Sequence, residues 1–314
     1  MNNAADAALS KIMRHREGSF DTLHTRFANL NAMIHGGFEF GQLVLLGGAS
    51  GHGKSYFLQM LRADFMNAQL NGGLKRPFKL LHFNLEMPMA SEIMRELVAS
   101  TRFSYEELIS YGDVDKLEDE AFEEVKRHLR TMQDNDTVFF VNTPGTKYVM
   151  EETIYSFQNR FPNHNLIVTL DHTLLIEMLD EKSEVQLESD IGKKFIEIRQ
   201  KINSLNFLVS QLNDKIEDPR RREPGFQFPT KTDFHGSKQV YQAADLVFVI
   251  HRPELLNIDV YGREPDAFLS KDMVAVHLLK NREGPANIWE RFTQDFKNGS
   301  LLPFVQKQSN YNYY

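Results

Sequence analysis

The sequence predicts an α/β protein: a mostly parallel sheet covered by helices on both faces, continued by an antiparallel C-terminal extension. Three observations predict it. Runs of Val, Ile, Leu and Phe at 137–141 and 165–170 are continuous rather than alternating, which marks strands covered on both faces. Helical stretches separate these runs, and that alternation builds a parallel sheet. After residue 251 the pattern becomes one of closely spaced strands, with turn signals at Gly284-Pro285 and Asn298-Gly299.

In chain order, residues 1–20 read as an extension. Residues 6–13 have helical propensity, with Leu9, Ile12 and Met13 on one face, and 14–19 break the pattern. From 21 to 308 the chain reads as one domain, and 309–314 as a frayed tail. Strands are expected at 42–47, 78–84, 137–142, 165–170, 206–210 and 245–251. Helices are expected at 55–70, 89–100, 104–110, 115–132, 149–160 and 185–204, and late strands at 272–280, 288–293 and 301–305.

Composition narrows the classes. The chain of 314 residues is 41% hydrophobic, enough for a full core, and it contains no cysteine. Disulfides, thiol catalysis and cysteine-held zinc are therefore excluded. No signal peptide or membrane-spanning apolar run is visible, so the expected compartment is the cytoplasm, of a bacterial cell or a phage-infected host. A net charge of −7 argues against a generally basic surface. It leaves room for a protein that encloses nucleic acid, which needs positive groups only along the enclosing surface.

Between the first main strand and its helix lies a complete G-x-x-x-x-G-K-[ST] phosphate loop, Gly48, Ala49, Ser50, Gly51, His52, Gly53, Lys54 and Ser55. Glycines let backbone N–H groups turn inward around phosphate oxygens, Lys54 supplies charge for the β- and γ-phosphates, and Ser55 offers a hard oxygen to Mg²⁺. The helix that follows points its positive end at the same anions. The motif predicts binding of a nucleoside triphosphate with magnesium.

Hydrolysis needs further groups at the carboxyl ends of neighbouring strands. Strand 165–170 is followed by Asp171, a candidate second magnesium ligand. Strand 78–84 is followed by Glu86, which can polarise a water in line with the γ-phosphate, and strand 206–210 by Gln211, a candidate γ-phosphate contact. Each alone reads equally well as a polar cap; the set carries the argument. Segment 215–231 combines Arg220, Arg221 and Arg222 with Phe226 and Phe228, a mixture suited to single-stranded DNA. Interleaved acids (Asp214, Glu217, Asp218, Glu223) leave a solvated disordered loop as the alternative.

Several segments together resemble one family. His82-Phe83-Asn84-Leu85-Glu86-Met87-Pro88, Ser210-Gln211-Leu212-Asn213, Gln242-Ala243-Ala244-Asp245-Leu246 and Lys280-Asn281-Arg282-Glu283-Gly284-Pro285 look like motifs of DnaB-type replicative DNA helicases, in the family's order and spacing. The resemblance runs from about residue 25 to 304 and implies a RecA-like motor domain using ATP and Mg²⁺. It implies Lys54 and Ser55 as the phosphate-loop pair, Asp171 as the second magnesium carboxylate, Glu86 as catalytic base and Gln211 as γ-phosphate sensor. Lys280 and Arg282 would reach the neighbouring subunit's nucleotide, Arg282 as an arginine finger in trans; from the residues alone an exposed hairpin pair reads as well.

The resemblance further implies a ring, a hexamer, that translocates 5′ to 3′ on single-stranded and forked DNA. A separate primase or helicase loader would be its partners. The sequence departs from the family in two places. About 20 residues precede the motor where the family carries a helical collar domain or, in some relatives, a primase; residues 5–13 would correspond to the linker helix. The family's DNA-facing D-L-R-E-S-G reads Asp233-Phe234-His235-Gly236-Ser237-Lys238, so His235, Gly236 and Lys238 stand at the candidate DNA contacts. Two alternatives remain: a RecA-like recombination or repair ATPase without processive unwinding, and a nucleotide-gated scaffold that recruits replication partners.

Overall fold

The computed structural model describes residues 2–17, 21–85, 87–101, 103–111, 116–143, 145–171, 173, 176–234, 238–263 and 267–304. Its helices are α1 (Asn2–Arg16), α2 (Ala28–Met33), α3 (Lys54–Met66), α4 (Ala68–Asn71), α5 (Met89–Ser100), α6 (Tyr105–Ile109), α7 (Asp119–Asp134), α8 (Lys147–Arg160), α9 (Glu184–Ile202) and α10 (Lys238–Ala243). Its strands are β1 (Thr22–Leu23), β2 (Phe38–Glu39), β3 (Leu43–Gly48), β4 (Phe78–Asn84), β5 (Val138–Val141), β6 (Asn165–Asp171), β7 (Leu205–Gln211), β8 (Leu246–His251), β9 (Val260–Tyr261), β10 (Phe268–Leu269), β11 (Met273–Asn281), β12 (Ile288–Asp295) and β13 (Ser300–Pro303).

Nine strands form one sheet in the order β13-β12-β11-β8-β3-β7-β6-β4-β5. The six from β8 to β5 are parallel, and β11, β12 and β13 add antiparallel to β8. This is the expected class, a parallel core with an antiparallel extension.

Side-chain alternation divides the core into two layers. Val44 and Leu46 of β3 and Phe207 and Val209 of β7 pack on one face against Phe57, Met60, Leu61 and Phe65 of α3 and Leu30 of α2. Leu43, Leu45 and Leu208 point the other way, against Ile154 of α8, Leu187, Ile191 and Phe195 of α9 and Val240 of α10. Both faces of β3 and β7 are covered, which is why their apolar runs do not alternate; β5, at the sheet edge, is half-buried throughout although its run at 137–141 is also continuous. A satellite cluster of Leu97, Phe103 and Val125 joins α5 to α7.

Four boundaries differ most from the sequence reading. Helix α1 continues to Arg16, through residues expected to break it. The helix expected at 55–70 divides at Asn67, whose side chain accepts from Gln69 N at 2.9 Å and caps α4. The helix expected at 115–132 begins at Asp119 and runs to Asp134. The last strand ends at Pro303, and Val305 and the tail 309–314 lie outside the described residues. The pair β1–β2 and helix α2 escaped the sequence reading because elements of two and six residues carry no measurable period. In α1, Leu9, Ile12 and Met13 stand 55%, 63% and 49% exposed. Among the described residues no helix is long and apolar enough to cross a membrane.

Candidate nucleotide site

β3 is buried throughout and ends in Gly48, where the chain turns into the phosphate loop. Sterics fix its glycines. A Cβ on Gly48 would lie 2.8 Å from both the Ile250 carbonyl oxygen and Cγ of Lys54. Gly53, the N-cap of α3, has φ +96°, and a Cβ there would lie 2.5 Å from the Phe296 ring. Lys54 and Ser55 open α3, so their N–H groups belong to its positive end. The Lys54 ammonium donates to the carbonyl oxygens of Gly48 (2.9 Å) and Ala49 (3.0 Å), over the loop. His52 is buried and its Nδ1 accepts from Arg252 N at 3.1 Å. Burial, with Lys54 and Arg252 nearby, lowers the His52 pKa to about 4. The loop's side-chain charge at neutral pH is therefore Lys54, not His52.

The strand ends assemble beside this loop. Gly48 stands opposite Gln211 in the β3–β7 register, and Leu212 N donates to Gly48 O at 3.2 Å. Asp171, buried, ends β6, the strand beyond β7. At about 4.8 Å per strand it lies about 10 Å across from β3. Asn84, opposite Asp171, ends β4. Its side chain holds the turn that follows, accepting from Met87 N and donating to Met87 O, each at 3.2 Å. Glu86, the candidate base, lies outside the described residues.

Sequence reasoning missed the groups that brace this row. Glu188 of α9, buried, accepts from Thr173 Oγ1 at 3.1 Å and Ser210 Oγ at 3.4 Å, so it ties the turn after Asp171 to the end of β7. Arg62 of α3, buried, pairs with Glu92 at 2.5 Å and with Glu96, clamping α5 to the phosphate-loop helix. Burial raises the Glu96 carboxyl above its usual range. On the outer side of the loop, Tyr56 and Phe296 stack with centroids 4.9 Å apart, and the Arg252 guanidinium lies 5.2 Å from the Phe296 ring. Phe296 comes from the far end of the chain, and no local pattern in the sequence marks it.

Among the described residues no cluster of three or more His, Cys, Asp or Glu is placed to hold a metal. Magnesium needs no such cage, since one or two protein oxygens and the substrate's phosphates suffice. A hydroxyl at Ser55 and a carboxylate at Asp171 are donors of that kind.

Segment 213–234 contains three 3-10 turns, Asp214–Glu217, Pro219–Arg222 and Lys231–Asp233, joined by irregular chain. Arg221 donates to Phe228 O at 2.9 Å and pairs with buried Asp233 at 2.7 Å, and Arg222 Nε donates to Leu256 O at 3.1 Å. Both engage the protein itself, while Arg220 faces solvent. The segment is also joined to the nucleotide site: Asn213 N donates to Asp233 O at 2.7 Å, and a Cβ on Gly47 would lie 2.6 Å from the Phe234 ring. His235 and Gly236 lie outside the described residues, as does the side chain of Lys238, the first residue of α10.

Lys280 and Arg282 sit at the opposite end of the sheet. β11 runs antiparallel to β8, so Asn281 stands opposite Leu246, which itself stands opposite Val44 near the start of β3. From Leu43 to Gly48 a strand rises about 16 Å. The structure thus brings Lys54, Ser55, Asp171 and Gln211 to one edge and leaves Lys280 and Arg282 at the other.

The sequence matches the family described as DnaB-like helicase C terminal domain over residues 22–298. No curated protein matches. Among solved structures, one described as an ATPase domain superposes with a TM-score of 0.76 at 18% identity, covering 96% of this chain and 98% of that one. A DnaB-like replicative helicase, described together with its interactions with primase, superposes with a TM-score of 0.75 at 18% identity, covering 96% and 67%. A KaiC-like protein from Pyrococcus horikoshii OT3 gives 0.52 at 13% identity, covering 91% and 100%. These likenesses show a RecA-like fold. With the phosphate loop and the row of strand ends in place, and with the family match spanning nearly the whole sheet, the chain belongs to the DnaB-like helicase C-terminal domain family.

Proposed function

We propose that this protein is the ATP-hydrolysing motor of a ring-forming, hexameric replicative DNA helicase that moves 5′ to 3′ along single-stranded DNA. One observation carries the reading: Arg282 and Lys280 lie across the sheet from their own phosphate loop and cannot serve it. If this pair meets a γ-phosphate, that phosphate belongs to the next copy, and head-to-tail contacts of that kind generate rings when the rotation closes and open filaments when it does not. Each site combines Lys54, Ser55, Glu86, Asp171 and Gln211 of one chain with Lys280 and Arg282 of its neighbour. Ser55 and Asp171 would hold Mg²⁺, whose charge offsets that of the β- and γ-phosphates. The wall of Tyr56, Phe296 and Arg252 offers a nucleobase a surface to stack on. The connection from Gln211 through Asn213 and Asp233 gives loss of γ-phosphate a route to the DNA-facing segment, where Arg220, His235, Gly236 and Lys238 would meet phosphates. One of the similar helicases is described with its interactions with primase, which makes a primase a candidate partner here, and a loader is a second.

The test is unwinding of a forked duplex with ATP and Mg²⁺, alongside ATPase rates with and without single-stranded DNA. Unwinding with stimulated turnover supports the reading. Stimulated turnover without unwinding favours a recombination-type ATPase, and absent turnover favours a scaffold.

Two expected outcomes follow. Glu86→Gln keeps shape and hydrogen bonding but removes the base, so nucleotide binding and ring formation persist while turnover falls about 10²–10⁴-fold. Phosphate release measured beside nucleotide binding checks this, and normal hydrolysis would place the base elsewhere. Deleting residues 1–18 weakens assembly if Leu9, Ile12 and Met13 pack on a neighbour. Each is already about half covered, so burying the remainder contributes on the order of 2–5 kcal/mol per interface before entropy costs. Light scattering reads the oligomer mass, and an unchanged mass rejects the role.

A further inference from the structure

The Arg282 guanidinium is held by its own chain in a particular way. Nε lies 3.3 Å from Oδ1 of Asp245, and Nη2 donates to the carbonyl oxygens of Gln242 (3.1 Å) and Ala243 (3.2 Å), the last residues of α10. The backbone is fixed as well, since Arg282 N donates to Asp245 O at 2.9 Å. Lys280 Nζ donates to the carbonyls of Tyr241 (2.9 Å) and Gln242 (2.8 Å) on the same helix end. Asp245 is anchored in turn: its Oδ2 accepts from Leu43 N at 2.8 Å, and Arg199 of α9 pairs with the same oxygen. The carboxylate is thus fixed to the start of β3 and to α9, the rigid centre of the sheet. The Arg282 side chain remains 48% exposed. Its Nε and Nη2 are engaged inward, and the residue lines a cleft of about 380 Å³ together with Glu39, Gln42, Asn203 and Glu283.

A long arginine side chain is costly to order, and a guanidinium that must meet a phosphoryl group benefits from being held beforehand. We infer that Asp245 is a positioning residue for the neighbouring subunit's reaction: with the C-terminal carbonyls of α10, it aims Arg282 out of the chain toward the next copy's γ-phosphate. This rests on the composite site proposed above. The chemistry fits the task. A carboxylate on Nε and carbonyls on Nη2 hold the inner edge of the guanidinium and leave its outer edge for an anion. Burial, with Arg282 close by, lowers the Lys280 pKa although Asp245 opposes the shift.

The experiment uses the full chain. Asp245→Asn retains an acceptor for Leu43 N but loses the charge that holds Nε. The expected result is a fall in kcat of about 10–100-fold with KM for ATP unchanged. A residue that only supported the fold would disturb binding and assembly together. Direction then separates the roles. Mixing Asp245→Asn with Glu86→Gln is expected to restore part of the ATPase, because some sites pair an intact Glu86 with a well-aimed Arg282. Mixing Asp245→Asn with Arg282→Ala is expected to restore none, since both variants lack the group given to the neighbour. The control mixes Glu86→Gln with Arg282→Ala. Recovery in the control without recovery for Asp245→Asn and Glu86→Gln overturns the positioning role and spares the composite site. No recovery in the control overturns both. Wild-type kcat in Asp245→Asn also overturns the inference. Should Asp245→Asn fail to fold by circular dichroism, Asp245→Glu keeps the charge, moves it by about one bond, and answers the same three mixtures.

Discussion

Lys54→Ala is expected to abolish ATP hydrolysis and to weaken nucleotide binding about 10–100-fold. The ammonium lies over the loop, donating to the Gly48 and Ala49 carbonyls, where the β- and γ-phosphates of a bound nucleotide would meet it. A charge-assisted hydrogen bond there is worth about 1.5–3 kcal/mol in binding, which corresponds to that range. The loss in rate is greater, because negative charge spreads over the γ-phosphoryl oxygens in the transition state and Lys54 is the cation placed to meet it. No neighbour within the loop substitutes for it. His52 is the other basic group there, and with its pKa near 4 it is neutral throughout the physiological range. Lowering the pH to about 5.5, still above that pKa, is therefore not expected to rescue the variant. Steady-state phosphate release and titration with a fluorescent nucleotide check both parts. Wild-type turnover in Lys54→Ala would remove the basis of the whole site.

What was legible in the sequence follows from how local each signal is. β4 and β6 fall within a residue of expectation because strands buried on both faces read as unbroken apolar runs. The phosphate loop was legible because its chemistry lies within one short consecutive stretch. The row Gly48, Gln211, Asp171 was legible as strand ends, but only the strand order placed those ends side by side. Other parts rest on contacts between residues far apart in the chain, and no periodicity reports them. Arg221, a candidate DNA contact in the sequence, is paired to Asp233, 12 residues on, a contact that no local pattern reports. Phe296 reaches the loop at Gly53 from the far end of the domain. Glu188 sits on an ordinary amphipathic helix, and nothing local says that its carboxylate ties two strand ends. The position of Arg282 depends on β11 running antiparallel to β8, a fact of topology that the motif itself does not carry.

That topology makes Arg282→Ala the second prediction of large effect. The variant is expected to bind ATP and assemble, because Arg282 lies about 16 Å along β3 from its own phosphate loop, and its half-exposed side chain holds only Asp245 and the end of α10. Turnover is expected to fall on the order of 10³-fold or more, as for loss of an arginine that stabilises a transferring phosphoryl group. A planar guanidinium matches charge spread over several oxygens, and Arg282→Lys, offering a point charge on a flexible stem, is expected to recover little. Within one chain this loss has no geometric explanation, since the residue lies at the far end of the sheet from Lys54 and Asp171. Between chains it has one, and mixing tests it. Arg282→Ala and Glu86→Gln are each expected to lose most of their turnover alone. In a mixed ring, some interfaces place an intact Glu86 opposite an intact Arg282, and those sites turn over. With random assembly of equal amounts, one interface in about four is of this kind, which sets the ceiling for recovered activity if sites fire independently. Recovery below that ceiling would mean that a site waits on its neighbours, as expected if Arg282 couples the state of one nucleotide to the position of the adjoining subunit. No recovery at any mixing ratio would reject the composite site with Arg282 given in trans.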